Sequence, residues 1–176
     1  IILDVPKVAV YPIDDISRAL HNVLHGEVAS VHQVFSGPVS GNALLLLDYK
    51  AALLLNSLLL DAPMHPRRLA AAEREAITEV GNIVLNACLG VFGNLLQVHV
   101  TFSVPRLDLD SVDGVMQSIA VGSQELQYAL MVHTHFSVKD STVRGYLVII
   151  LGITSFSRLL QEIDAWTKSQ LANSSQ

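Results

Sequence analysis

Glu79 and Asn82 stand three residues apart in AAEREAITEVGNIVLNACL (71–89), a stretch whose apolar residues recur at helical spacing. Residues three apart on a helix project from one face. The pair therefore sets a fixed carboxylate beside a neutral amide that both donates and accepts hydrogen bonds. Such a pair can hold a cation with one member and aim a water molecule with the other. Twenty-two residues separate Asn82 from Pro105, the second half of a Val-Pro dipeptide. Glu75 lies four residues before Glu79 on the same face, where it either shapes a negative rim or, as exposed charges more often do, only solvates the helix. Gly81 and Gly90 sit where glycine costs about 1 kcal/mol relative to alanine. Gly81 either lets a partner's backbone approach Asn82 or lets the helix pack closely, and the sequence leaves the two balanced. Asn86, one turn on, lines the same face or is a surface or capping residue, the second being the commoner use of such an Asn. Asn94 follows Gly93 and reads as a helix terminator.

Alone, two polar residues on an amphipathic helix are most often its solvated face. The frame around them decides otherwise. VPKVAVYPIDDI (5–16) reads like VPRLDLDSVDGV (104–115), and GNALLLLDYKAALLLNSLLL (41–60) like RGYLVIILGITSFSRLLQEI (144–163). The two offsets agree to within a short insertion, so duplication is the economical explanation. Periodicity predicts strands at 6–11, 27–36, 42–48, 95–103, 125–137 and 143–151. It predicts helices at 49–60, 68–91 and 153–169, with short ones near 14–24 and 111–119. Successive strands can pair as hairpins, which predicts an α+β fold: a largely antiparallel sheet of about six strands packed against long helices. The expected unit is a single domain over 1–169, made of halves at about 1–62 and 68–169, with 170–176 a flexible tail. The 68–91 helix has no counterpart in the first half, and a matching helix is expected upstream of Ile1.

The composition is 51% hydrophobic and 15% charged, that of a globular chain rather than a disordered one. A net charge of -5 without a basic stripe gives no case for nucleic acid or an anionic membrane. The longest apolar runs, 43–47 and 146–153, are too short to span a bilayer. A single cysteine, Cys88, rules out an intrachain disulfide framework and fits a reducing, cytoplasmic setting. Of the seven histidines, His21 and His25 have i, i+4 spacing, and His133 and His135 share a strand face. Neither pair has acidic or Cys ligands nearby, so no metal is expected on this chain.

The motif and its frame resemble the CheC/CheX/FliY phosphatases of bacterial and archaeal chemotaxis. Their signature is an acidic or Ser residue, three others, Glu-x-x-Asn, then twenty-two residues to a Pro. Here those residues are Glu75, Glu79, Asn82 and Pro105, within AITEVGNI and SVP. The first position departs from the usual Asp or Ser. The resemblance implies a CheC-like domain whose partner is a phosphorylated response regulator of the CheY type, its acyl phosphate beside a bound Mg²⁺. It implies that Asn82 orients the hydrolytic water and that Glu79 pairs with the partner's active-site Lys. Glu75, Gly81, Asn86 and Pro105 then belong to the partner-facing surface, and no cofactor is bound by this chain. The same fold resembles the middle domain of the flagellar switch protein FliM, so a non-catalytic regulator-binding scaffold is the alternative. A homodimer through an exposed strand edge at 125–137 is a further expectation.

Overall fold

The computed structural model describes residues 2–3, 7–60, 69–95, 98–120, 126–138 and 141–173. Chain order is β1 (Ile2–Leu3), β2 (Lys7–Pro12), α1 (Ile13–His21), β3 (Glu27–Ser36), β4 (Gly41–Asp48), α2 (Tyr49–Leu60) and α3 (Ala71–Leu95). It continues with β5 (Thr101–Phe102), β6 (Arg106–Ser111), α4 (Val112–Ala120), β7 (Leu126–Val138), β8 (Ser141–Gly152) and α5 (Ile153–Asn173). Every strand pairing is antiparallel. The long strands run β2-β7-β8-β4-β3-β6, with β1 beside β7 and β5 beside β3 at the two ends.

The order strand, helix, strand, strand, helix occurs twice. Lys7, Ile13 and Glu27, which open β2, α1 and β3, stand 99 residues before Arg106, Val112 and Leu126, which open β6, α4 and β7. The first strand of each set does not join its own set. β2 pairs with β7, while β6 pairs with β3. The sheet is thus continuous through the antiparallel contact of β4 with β8 and closed at each end by the other set's strand.

The apolar runs become the central strands because both of their faces are covered. On one face Leu45 and Leu47 of β4 and Leu147 and Ile149 of β8 pack with Leu55 of α2, Ile77, Leu85 and Leu89 of α3, and Leu159 of α5. On the other, Leu44, Leu46, Val148 and Ile150 meet Ile16 and Leu20 of α1 and Val115 and Ile119 of α4. Alternation vanishes where both faces are buried, which is why ALLLL and YLVIIL read as unbroken runs. Each such Leu contributes roughly 1.5–3 kcal/mol by leaving water.

Three sequence expectations change. Of the strand expected over 95–103, Leu95 belongs to α3 and, among the described residues, only Thr101–Phe102 pairs in the sheet; residues 96–97 lie outside the described residues. Gly90 and Gly93 do not end the helix, and Asn94 lies inside it rather than terminating it. The turn after it closes when Val98 N–H donates to the Gly93 carbonyl at 2.9 Å. Second, RLDLDS (106–111) is a strand, β6, which periodicity alone did not assign. Third, β7 is no edge. It is held by β8 on one side and by β1 and β2 on the other, so the described part of the 125–137 stretch is not the open edge expected for dimerisation.

The two ends of the first face differ. Leu107 and Leu109 of β6 pack against the core that α3 covers. Their counterparts 99 residues earlier, Val8 and Val10, lie on the same face opposite Val132 and Leu130 but are 58% and 47% exposed.

Across the second face α1 and α4 are joined by Asp113. Its carboxylate accepts from Ser17 Oγ at 2.7 Å and lies 2.9 Å from His21 Nε2. The hydrogen bond from Ser17, then that with His21, hold its pKa below the ordinary Asp value. A depressed carboxylate stabilises the fold above its unfolded pKa and loses that contribution as the pH falls through the folded one. Asp113→Asn should therefore lower Tm only slightly at pH 7, because the group is exposed to solvent. The gap between variant and wild type should close in thermal melts taken below the ordinary Asp range of about 4. A gap that persists unchanged into acid would assign the effect to shape rather than charge.

Candidate functional site

Three rows of side chains run along α3. Ile77, Gly81, Leu85, Leu89 and Gly93 are buried against the sheet. Arg74, Thr78, Asn82 and Asn86 form a half-buried flank, and Glu75, Glu79, Ile83, Ala87 and Val91 an exposed crest. The helix begins at Ala71, where Glu73 Oε2 accepts from Ala70 N at 2.6 Å, half of a capping box that satisfies a free N–H of the first turn. Thr78 Oγ1 donates to the Arg74 carbonyl at 2.7 Å, satisfying its hydroxyl within the helix.

Gly81 fixes how the helix meets the sheet. A Cβ at this position would lie 2.5 Å from Val31 Cγ1 and 2.6 Å from Val31 Cβ, closer than side chains come. The backbone of α3 therefore rests directly on Val31 of β3. Of the two readings open at Gly81, close packing is the one found; its buried side faces the sheet and not an incoming partner. On the flank, Arg74 Nη2 donates to the Leu107 carbonyl of β6 at 3.1 Å. That flank is thus turned toward β6, the strand that follows Pro105.

Asn82, two turns beyond Arg74 on this flank, is half-buried, and Glu79 on the crest is exposed. Glu79 makes no ion pair with another described residue, so its carboxylate is available to a cation. Asn82 is partly engaged: its Oδ1 accepts from Asn86 Nδ2 at 2.8 Å. Asn86 is consequently neither a cap nor a surface residue but a half-buried neighbour of Asn82. Glu75 is exposed on the crest one turn before Glu79, as a rim or a solvating charge would be.

Pro105 lies in the connection between β5 and β6, half-buried beside Val104, which is 83% exposed. The preceding residue anchors this connection. Ser103 N–H donates to the Val34 carbonyl at 2.9 Å, and Val34 N–H returns a bond to Ser103 Oγ at 2.9 Å. Gln33 Nε2 adds a third, to the Ser103 carbonyl at 2.9 Å. Three bonds to β3 fix where Val104 and Pro105 emerge, on the same strand that seats α3.

The sequence reading overlooked the apolar members of this surface. Ile83 and Val91 on the crest are 58% and 65% exposed. They put exposed apolar side chains on the crest that carries Glu75 and Glu79. Ile83 lies four residues after Glu79 and Val91 twelve, multiples of four that keep both in its row along the helix, and that was the available signal. Cys88, on the opposite flank, is partly buried, and burial raises its thiol pKa, which lowers the share of reactive thiolate. Among the described residues no three His, Cys, Asp or Glu side chains converge on a metal position, and no helix is long and apolar enough to cross a membrane. The side chains of His133 and His135 lie outside the described residues.

No protein-family model matches the sequence, and no curated protein matches it by sequence. Solved structures match by fold. The X-ray crystal structure of Thermotoga maritima FliY superposes with a TM-score of 0.70 at 14% identity, over 93% of this chain and 81% of that one. FliM in the FliM-SpeE complex from H. pylori gives 0.56 at 14% identity over 93% and 79%. The FliM middle domain from H. pylori gives 0.51 at 15% identity over 91% and 79%. The chain thus shares the fold of these FliY and FliM structures, the CheC-like fold that the resemblance of its motif implies.

If Gly81 is the seat of α3, Gly81→Ala should destabilise although alanine is the better helix former by about 1 kcal/mol. Overpacking of this kind costs about 1–3 kcal/mol. Trimming the opposing side chain with Val31→Ala should make the second substitution markedly less harmful, measured by denaturant unfolding as a double-mutant cycle. Strict additivity would show that the two residues do not meet.

Proposed function

We propose that this chain binds a phosphorylated receiver domain of the CheY type and hydrolyses its aspartyl phosphate. The observation that carries the reading is an exposed Glu79 beside a half-buried Asn82 on a helix whose backbone is seated on the sheet. Their spacing to Pro105 and their resemblance to the Glu-x-x-Asn signature support it.

Hydrolysis of an acyl phosphate requires little covalent help from a protein. It requires an in-line water and charge that is already neutralised. In the resemblance the partner supplies its own Mg²⁺ for the second task, so the first falls to this chain. Asn82 holds a water by its amide opposite the leaving carboxylate. The water oxygen attacks phosphorus as the bond to the Asp oxygen breaks; inorganic phosphate leaves, and the water's proton passes to phosphate or solvent. Restricting the water in this way converts a bimolecular encounter into a placed attack. Glu79 pairs with the partner's active-site Lys and sets the docking. Such a pair contributes only ~0.2–1 kcal/mol while exposed, but ~1.5 kcal/mol or more once an interface closes over it. Ile83, Val91 and Val104 supply the apolar contact that excludes solvent around it. Glu75 adds negative charge at the rim.

The scaffold alternative, in which the receiver is bound and not hydrolysed, is raised by the likeness to FliM. One assay separates them: the decay of a phosphorylated CheY-type receiver with and without the chain. The wild type should accelerate decay. Asn82→Ala should lower kcat at least about tenfold, ~1.4 kcal/mol of transition-state stabilisation, with KM little changed. Glu79→Ala should act chiefly on KM. Binding without acceleration would replace the phosphatase reading with the scaffold. Acceleration that survives Asn82→Ala would put the chemistry elsewhere on the surface.

A further inference from the structure

Asn86 is poorly explained by stability. Asparagine is a weak helix former, and the side chain's Oδ1 is buried without a partner. A buried acceptor left unsatisfied is destabilising, and such groups in folded proteins call for an explanation. The amide makes one hydrogen bond, and it goes to Asn82: Asn86 Nδ2 donates to Asn82 Oδ1 at 2.8 Å.

We infer that Asn86 is a positioning residue that sets which way the Asn82 amide faces; this rests on the reading of Asn82 as the residue that holds the water. A free Asn side chain can turn its amide over, exchanging donor for acceptor. Donation from Asn86 fixes Oδ1 on the side toward residue 86. It leaves both Nδ2 hydrogens and the second lone pair of Oδ1 for the approaching ligand. The carbonyl can then accept from the attacking water while the N–H groups reach a phosphoryl oxygen. Because the donor is one helical turn away on the same seated helix, the amide is aligned before the partner arrives. A hydrogen bond at its far end also polarises the amide.

The test uses two variants of the full chain and three readouts. Asn86→Ala removes the donor. Asn86→Asp keeps the size and shape but can no longer donate when ionised, so the Asn82 amide must turn its Nδ2 inward. For both, kcat for receiver dephosphorylation should fall about tenfold while KM stays within about twofold, the pattern of a misaligned rather than an unbound substrate. Tm should be unchanged or higher for Asn86→Ala. In ¹⁵N-labelled protein without the receiver, the Asn82 side-chain NH₂ should lose order in Asn86→Ala. Full kcat in Asn86→Ala, or an Asn82 amide equally ordered with and without Asn86, overturns the inference. So does a kcat loss matched by a large fall in Tm. A wild type that does not accelerate decay at all counts against the phosphatase reading alone. The NH₂ order then decides the positioning role by itself.

Discussion

The contact of Gly81 with Val31 governs what the rest of the molecule can offer. A helix normally stands off a sheet by the length of its side chains; here one glycine lets the backbone of α3 settle on β3. Ile77, Leu85 and Leu89 then reach the core, and the rows beside them take fixed heights: Asn82 and Asn86 half-buried, Glu79 and Ile83 outside. The same strand holds Ser103 by three hydrogen bonds and therefore fixes the emergence of Val104 and Pro105. The helix and the loop are thus both referred to a single strand. A shift of α3 by the width of a methyl group would move the amide relative to the loop, and alignment errors of about 1 Å are enough to lose a large share of a positional effect.

This economy suits a reaction in which the partner holds the phosphate and its charge-neutralising ion. The proposed reaction asks nothing strongly basic, nucleophilic or metal-ligating of this chain; the crest of α3 carries carboxylates and apolar side chains, and the flank beside it half-buried amides. What such a surface contributes is geometry. A rigid helix serves that better than a loop, because its side chains are separated by fixed rises and angles.

Much of this was legible in the sequence, and the failures have physical causes. The helices at 49–60 and 153–169 and the strands at 27–36 and 42–48 follow from local periodicity, which needs no knowledge of neighbours. The juxtaposition of Glu79 and Asn82 was legible because both lie on one helix, three residues apart. What periodicity could not supply was partnership. RLDLDS alternates, but whether it forms a strand depends on β3 lying open to receive it. The 125–137 segment looked like a free edge because nothing local says that β2 crosses to cover it. The helix expected to stop at 91 runs on to Leu95, and Asn94 does not terminate it, because Gly93, a weak helix former in isolation, is packed inside the fold. Gly81 and Asn86 were undecidable for the same reason: one answers to Val31, fifty residues away in the chain, and the other to which atom of Asn82 its amide meets.

The most direct measurement is the structure of this chain bound to a beryllofluoride-activated CheY-type receiver, in which the fluoride group stands in for the phosphoryl group. The account predicts that α3 lies across the receiver's active site. The Asn82 amide should be within hydrogen-bond distance of the in-line water position, and the Glu79 carboxylate against the receiver's Lys. A complex in which the receiver docks elsewhere and Asn82 remains in solvent would contradict it.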